Sequence, residues 1–305
     1  MIKDIDFMGK SKIWMTISVI IILLGFASMY YNKKVKNNFL NLGIDFTGGT
    51  SMLLRMDKIK ELGKDGLTEK ERMRVISDIR GVLAKEGLAD SVIQIISGND
   101  IIINVSPIED AKRKSIIDNL NKNLGKTEQL EVDTIGPTIG AELREKALWM
   151  IMVSIVGLLL YITWRYEFIF SVGAVLSMVH DCLIIIGIAS ILYMKIDSAF
   201  VAAILTILGY SINDTIVVFD MISENNHLLR RKENLFNISN ISINQTLSRT
   251  IITGLSAMIT LLCVYIFGGM TTKDFALILL IGFIFGTYSS IMIASPVVVW
   301  FKGKE

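Results

Sequence analysis

The stretch AFVAAILTILGYSINDTIVVFD, residues 199–220, decides the fold. Its flanks, AFVAAILTIL and IVVF, suit a lipid interior, and the run has the roughly 20 residues a membrane helix needs. Yet Asn213 and Asp214 stand inside it. A carboxylate in a membrane span is costly, faces a bundle interior rather than lipid, and marks function by default. The alternative is a hydrogen-bonding Asp that glues helices together. Either way, these residues imply several membrane helices around a polar interior.

The rest of the chain agrees. Of 305 residues, 52% are hydrophobic, and the mean hydropathy of +0.54 is above that of a soluble domain. Apolar runs at roughly 13–31, 147–164, 168–193, 197–221, 250–269 and 275–300 are each long enough to span. The expected fold is an α-helical polytopic membrane protein of six transmembrane helices with one small α+β domain. Residues 1–31 hold a cytoplasmic N-terminus and the first helix. Residues 32–145 form the extracytoplasmic domain. Residues 146–305 form a five-helix bundle with a cytoplasmic loop at about 222–248. YYNKKVKNN, not a small-residue cleavage site, follows the first run, so that run reads as an uncleaved span.

Charge sets the expected orientation. Lys3, Lys10 and Lys12, Arg165, Arg230-Arg231-Lys232, and Lys302 with Lys304 all fall on one side of a six-span chain. By the positive-inside rule that side, with both termini, is cytoplasmic, and residues 32–145 lie outside. A net charge of +2 leaves no footprint for nucleic acid. Cys182 and Cys263 sit in apolar runs, which argues against a disulfide. No phosphate loop, nucleophile elbow or zinc spacing occurs. No catalytic residue, metal or cofactor is therefore expected. Sequons at Asn237, Asn240 and Asn244 fall on the cytoplasmic side and are set aside.

The polar segment has a readable order. LGIDFTGGTSMLLRM, from Leu42, is β-rich but broken by Gly48-Gly49. Thr68 and Glu71 make a capping-box pattern for a helix that stops at Gly87. SVIQIIS and DIIINVS flank Gly98-Asn99 and predict a hairpin. IEDAKRKSIIDNLNKNLG is a second helix closed by Gly125, and QLEVDTIG a last strand. The order is βαββαβ, the ferredoxin-like pattern. Its carboxylates read as a solvated surface.

Thr206, Tyr210, Asn213 and Asp214 fall near one helical face, which predicts that the polar members point inward. Arg249, Thr253, Ser256 and Thr260 recur as a stripe on the fifth span. Arg249 fits either a counter-charge to Asp214 or a positive-inside anchor reaching the headgroups. His180-Asp181 lies deep in the third span and fits either a proton relay or a buried polar pair. Asp220 reads as a boundary residue. Gly282, Gly286 and Ser290 form a small-residue ridge for close helix packing.

These residues, in four stretches, carry a family resemblance. They are GIDFTGGT (43–50); VHD (179–181) with IDSAFVAAILTILGYSINDTIVVFD (196–220); residues 224–254; and GGMTTKDFALILLIGFIFGTYSSIMIASP (268–296). With them the chain resembles the SecF family of protein-export membrane proteins, within the RND superfamily, over nearly its whole length. The resemblance implies an accessory subunit of the Sec translocase. Its implied partners are SecD, the SecYEG translocon, the exported unfolded polypeptide and membrane lipid. Its implied energy source is proton, or in some lineages sodium, entry. It maps the family's intramembrane acid onto Asp214 and its essential arginine onto Arg249, with Asn213 as a hydrogen-bonding neighbour. Asp181 matches the family's VHD motif. Met221 and Ser223 depart from the basic residues expected after Asp220. The competing readings are half of an RND-type small-molecule or lipid exporter, and a passive scaffold.

Overall fold

The computed structural model describes residues 5–57, 59, 68–89, 91–96 and 100–302. The expected Gly98-Asn99 turn, Lys3 and Lys304 lie outside them. The chain divides into two units, Met1–Asn41 with Ala147–Glu305, and Leu42–Lys146. In chain order the elements begin with α1 (Ser11–Lys36), the first span.

The second unit follows. A single helical turn, α2 (Ile44–Thr47), precedes strand β1 (Gly49–Met56). The GIDFTGG stretch is therefore not one continuous strand. Gly48 and Gly49 have φ of 69° and 135°, where a side chain is strained. A β-carbon on Gly49 would also lie 2.5 Å from the Val105 carbonyl oxygen. Next come α3 (Glu69–Lys85), β2 (Val92–Ile95), β3 (Asp100–Val105), α4 (Asp110–Leu124) and β4 (Thr127–Ile135). The sheet order is β2-β3-β1-β4, with every pairing antiparallel. This is the expected βαββαβ arrangement. Its termini are chemically specified. Glu71 N–H donates to the Thr68 hydroxyl and Thr68 N–H donates back to Glu71, while Gly87 and Gly125 take positive φ. One sheet face presents Met52, Leu54, Ile101 and Ile103 to Ile79 and Leu83 of α3 and Ile116 and Leu120 of α4. Each such buried aliphatic contributes about 1.5–3 kcal/mol.

Five further spans complete the chain. α5 (Pro137–Arg165) starts on a proline, whose missing N–H costs nothing in a first helical turn. α6 (Phe168–Ile191), α7 (Ser198–Leu229) and α8 (Leu235–Phe267) follow. The sixth span, Thr272–Lys302, is not one regular helix. It comprises α9 (Met270–Ser289), a π-helical turn at Ser290–Ala294 and α10 (Ser295–Lys302). Pro296 supplies the reason: it cannot donate to the Met292 carbonyl four residues back, and a widened turn absorbs the mismatch. Among the described residues, six helical segments are thus long and apolar enough to cross a membrane.

α6, α7 and the sixth span form the buried centre, whereas α1, α5 and α8 are largely exposed. Close backbone approach binds them. A β-carbon on Gly25 of α1 would fall 2.7 Å from Gly187 Cα of α6. Asn32 Nδ2 donates to the Ser190 carbonyl at 2.9 Å nearby.

The expected loop at 222–248 is helical except for residues 230–234. Its Asn and Ser residues pair across an α7–α8 hairpin rather than solvating a linker. Buried Asn225 Nδ2 donates to Ser242 Oγ at 2.9 Å and to Gln245 Oε1 at 2.7 Å. Ile222, Ile238 and Ile243 fill the space between. Asn240 and Asn244 use the outer side. Asn240 Oδ1 accepts from Phe7 and Met8 N–H, and Asn244 Oδ1 from Ile5 N–H. They hold the N-terminal segment with Phe7 and Met8 buried.

Candidate functional site

Asp214 lies on the buried side of α7, 2% exposed. Its Oδ2 accepts a hydrogen bond from Thr287 Oγ1 of α9 at 3.1 Å. Gly286, one residue earlier, makes that possible: a β-carbon there would sit 3.2 Å from Ser211 Cβ of α7. Gly282 packs likewise, since its β-carbon would collide with Ile207 Cδ1. Tyr210, one turn before Asp214, stacks on Phe283 with centroids 3.9 Å apart.

α8 closes the third side. A β-carbon on Gly254 would lie 3.0 Å from Tyr210 Oη and 3.4 Å from Thr287 Oγ1. Since α7 and α8 run antiparallel, four residues forward from Tyr210 and four back from Gly254 bring Asp214 and Thr250 to one depth. The Thr250 hydroxyl is buried there and has no hydrogen-bond partner among the described residues. Arg249, next in sequence, is exposed. No ion pair between Arg249 and Asp214 forms among the described residues, although the two lie at similar depth.

Asn213 also differs from expectation. It is exposed, and Thr287, not Asn213, donates to Asp214. Adjacent helical residues point about 100° apart, so one of the pair can be buried while the other is exposed. Thr206 is exposed as well, and so are Thr253, Ser256 and Thr260 of the α8 stripe. The polar residues expected on one inward face therefore split into a buried set at Asp214 and an outward set.

Asp181 is wholly buried on α6. Its Oδ2 accepts from Ser211 Oγ at 2.7 Å and Ser289 Oγ at 2.8 Å, and its Oδ1 lies 3.0 Å from His180 Nδ1. Ser290, expected only as a packing residue, donates to the Ser211 carbonyl at 3.1 Å and meets Thr215 Oγ1 at 2.9 Å. A polar seam thus runs through the centre where α6, α7 and the π turn meet. Thr215, Thr250, Thr287 and Ser289 were not singled out from the sequence. A hydroxyl in an apolar helix gives no signal until its partner helix is known.

Asp220 has more structure around it than a boundary residue needs. Tyr166 Oη donates to its Oδ1 at 2.5 Å, and Arg165 Nη2 lies 3.4 Å away. Burial, then the bond to Asp220, push the Tyr166 hydroxyl well above the ordinary tyrosine range. Among the described residues no cluster of His, Cys, Asp and Glu could hold a metal ion.

Comparison with known proteins places this arrangement. Residues 116–304 match the family "Protein export membrane protein SecD/SecF, C-terminal", and residues 40–58 match the "SecD/SecF GG Motif". The protein translocase subunit SecF of Thermodesulfovibrio yellowstonii is 37% identical over 97% of this chain and 94% of that one. The chain belongs to the SecF family of protein translocase subunits. The SecF of Pseudomonas aeruginosa is 33% identical over 98% of this chain and 92% of its own. In solved structures, the chain is similar to SecDF of Thermus thermophilus, a translocon-associated membrane protein. The TM-score is 0.85 at 33% identity over 99% of this chain. This SecF-family chain spans 39% of the length of that SecDF chain.

Proposed function

We propose that this SecF-family subunit works with SecD to drive protein export across the bacterial cytoplasmic membrane, using proton entry, or sodium entry, as its energy source. Asp214 is the ion carrier. Arg249 biases it electrostatically from the same depth. Asp181 belongs to the same ion-coupling core. The βαββαβ unit lies outside the membrane, both termini lie inside, and the chain associates with SecYEG and the emerging unfolded polypeptide.

The observation that carries this reading is the split of polar residues within the spans. Asp214 is buried with one neutral donor, while Arg249 and Asn213 are exposed on the outer side of the bundle. An arginine facing lipid at that depth is costly, so a partner's membrane helices belong on this face. SecD is the partner the family supplies. Such a cover would desolvate Arg249 and strengthen its influence on Asp214. Coupling then requires two states of the assembly with different ion affinity at Asp214.

The test is export in cells depleted of the native subunit. Asp214→Asn and Arg249→Met are each expected to assemble normally yet leave secreted precursors unprocessed. Wild-type export by Asp214→Asn would overturn the reading.

A further inference from the structure

His180 has no place in the function proposed above, yet it is the most constrained ionisable group beside the seam. It is 7% exposed, and its ring stacks on Tyr288 with centroids 6.0 Å apart and 27° between planes. Nδ1 is committed to Asp181 at 3.0 Å. Nε2, on the far side of the ring, is buried with no hydrogen-bond partner among the described residues.

Three polar atoms surround the Asp181 carboxyl. Two hydroxyls donate to Oδ2, and His180 Nδ1 lies within hydrogen-bond distance of Oδ1, donating to it in the Nδ1–H tautomer. In that tautomer the three donors suit an ionised carboxylate. Among the described residues no Lys or Arg lies within ion-pair distance of it. In that tautomer, neutral His180 beside an ionised Asp181 leaves a bare negative charge in the bundle and an Nε2 lone pair with no donor among the described residues. A proton taken up at Nε2 removes that charge by making an imidazolium–carboxylate pair of net charge zero.

The surroundings of Nε2 follow from the helix register. Gly25 meets Gly187, and Ser28 meets Ser190 three residues on, so α1 and α6 run parallel in step. Seven residues back, Ser18 stands level with His180. Ser18 Oγ is bonded to Tyr288 Oη at 3.0 Å, and Tyr288 Oη donates to the Trp14 carbonyl at 2.6 Å. A hydroxyl pair thus lies at the depth of the imidazole. The titratable groups facing the pair are Tyr288 from α9 and Cys182 from α6 itself. α7 contributes Ser211, and α1 contributes Ser18.

We propose that His180 and Asp181 form a second proton-holding site, loaded and unloaded at His180 Nε2 and distinct from Asp214. Ser211 links the two, standing one turn from Asp214 on α7 and bonded to Asp181. The inference rests on the reading that carboxylates in these spans carry ions for export. Loading neutralises a buried charge without disturbing the Ser211 and Ser289 bonds, so the seam can change charge while keeping its packing.

The chain has two histidines, so His227→Gln leaves one. The full-length His227→Gln protein, labelled with ¹⁵N in the imidazole and reconstituted in phosphatidylglycerol–phosphatidylethanolamine liposomes, is titrated by solid-state NMR. The expected result is a neutral-to-imidazolium transition at His180. In Asp181→Asn the transition should move measurably, because the carboxyl that pairs with the ring is gone. A ring neutral throughout, or a transition unmoved in Asp181→Asn, overturns the proposal. The melting temperature of Asp181→Asn in the same liposomes, set against that of the parent protein, checks folding. The same titration on Asp214→Asn separates the two readings. A His180 transition that persists there, alongside normal export by Asp214→Asn, sinks the proposed function but not this site. Lost export with no His180 transition sinks this site alone.

Discussion

At the residue scale, one position in sequence separates opposite environments. Asn213 is exposed and Asp214 is buried, although both interrupt the same apolar run. The sequence marks the polar pair without assigning faces, because the flanking apolar residues surround the helix. Thr287 is the partner that pattern reading missed. Thr287→Val removes the one described hydrogen bond to the Asp214 carboxylate. Since bonds to charged groups contribute about 1.5–3 kcal/mol, detergent-solubilised protein should lose stability of that order in a thermal unfolding assay. Asn213 is exposed and its side chain makes no hydrogen bond among the described residues, so Asn213→Ala should leave the same melt unchanged.

At the element scale, helix ends were readable and helix junctions were not. Thr68 and Glu71 form their box because the residue types and spacing specify it locally. In the folded state the Thr68 hydroxyl, then its N–H, hold the Glu71 carboxyl below the usual glutamate range. The contribution is therefore present above the unfolded glutamate pKa and fades as pH falls through the folded one. Thr68→Val should flatten that part of the acid-side stability curve, read by melts of the full chain between about pH 7 and about pH 3. The α7–α8 hairpin was illegible for the opposite reason. Asn225, Ser242 and Gln245 look like loop residues until each is seen to satisfy another across a helix pair. The π turn was also hidden, although Pro296 marks where a regular helix must change. Gly286 carries the clearest element-scale prediction. Gly286→Val drives α9 away from Ser211 and strains the Ser211–Asp181–Ser289 cluster. Overpacking of this kind costs about 1–3 kcal/mol, and a lower melting temperature is expected.

At the scale of the whole molecule, the division into six spans and a βαββαβ unit was legible because hydropathy and period-2 alternation are separate signals. The assembly was legible only in part. Arg249 and Thr253 read as one stripe on a helix, but only the structure turns that stripe outward. A cysteine placed at Ser256 should cross-link to SecD, the proposed partner, in native membranes at near wild-type export. Reaction with a lipid-soluble maleimide, with no partner cross-link, would leave this face in lipid. Exposed Arg249 and buried Asp214 stand at one depth, and the proposed function requires the carboxylate to move ions. The most direct measurement is ion uptake into proteoliposomes holding this chain with SecD, driven by an imposed pH gradient. Uptake is expected for the wild type, and the background of empty liposomes for Asp214→Asn. Undiminished uptake by Asp214→Asn would rule out the carboxylate as the ion carrier.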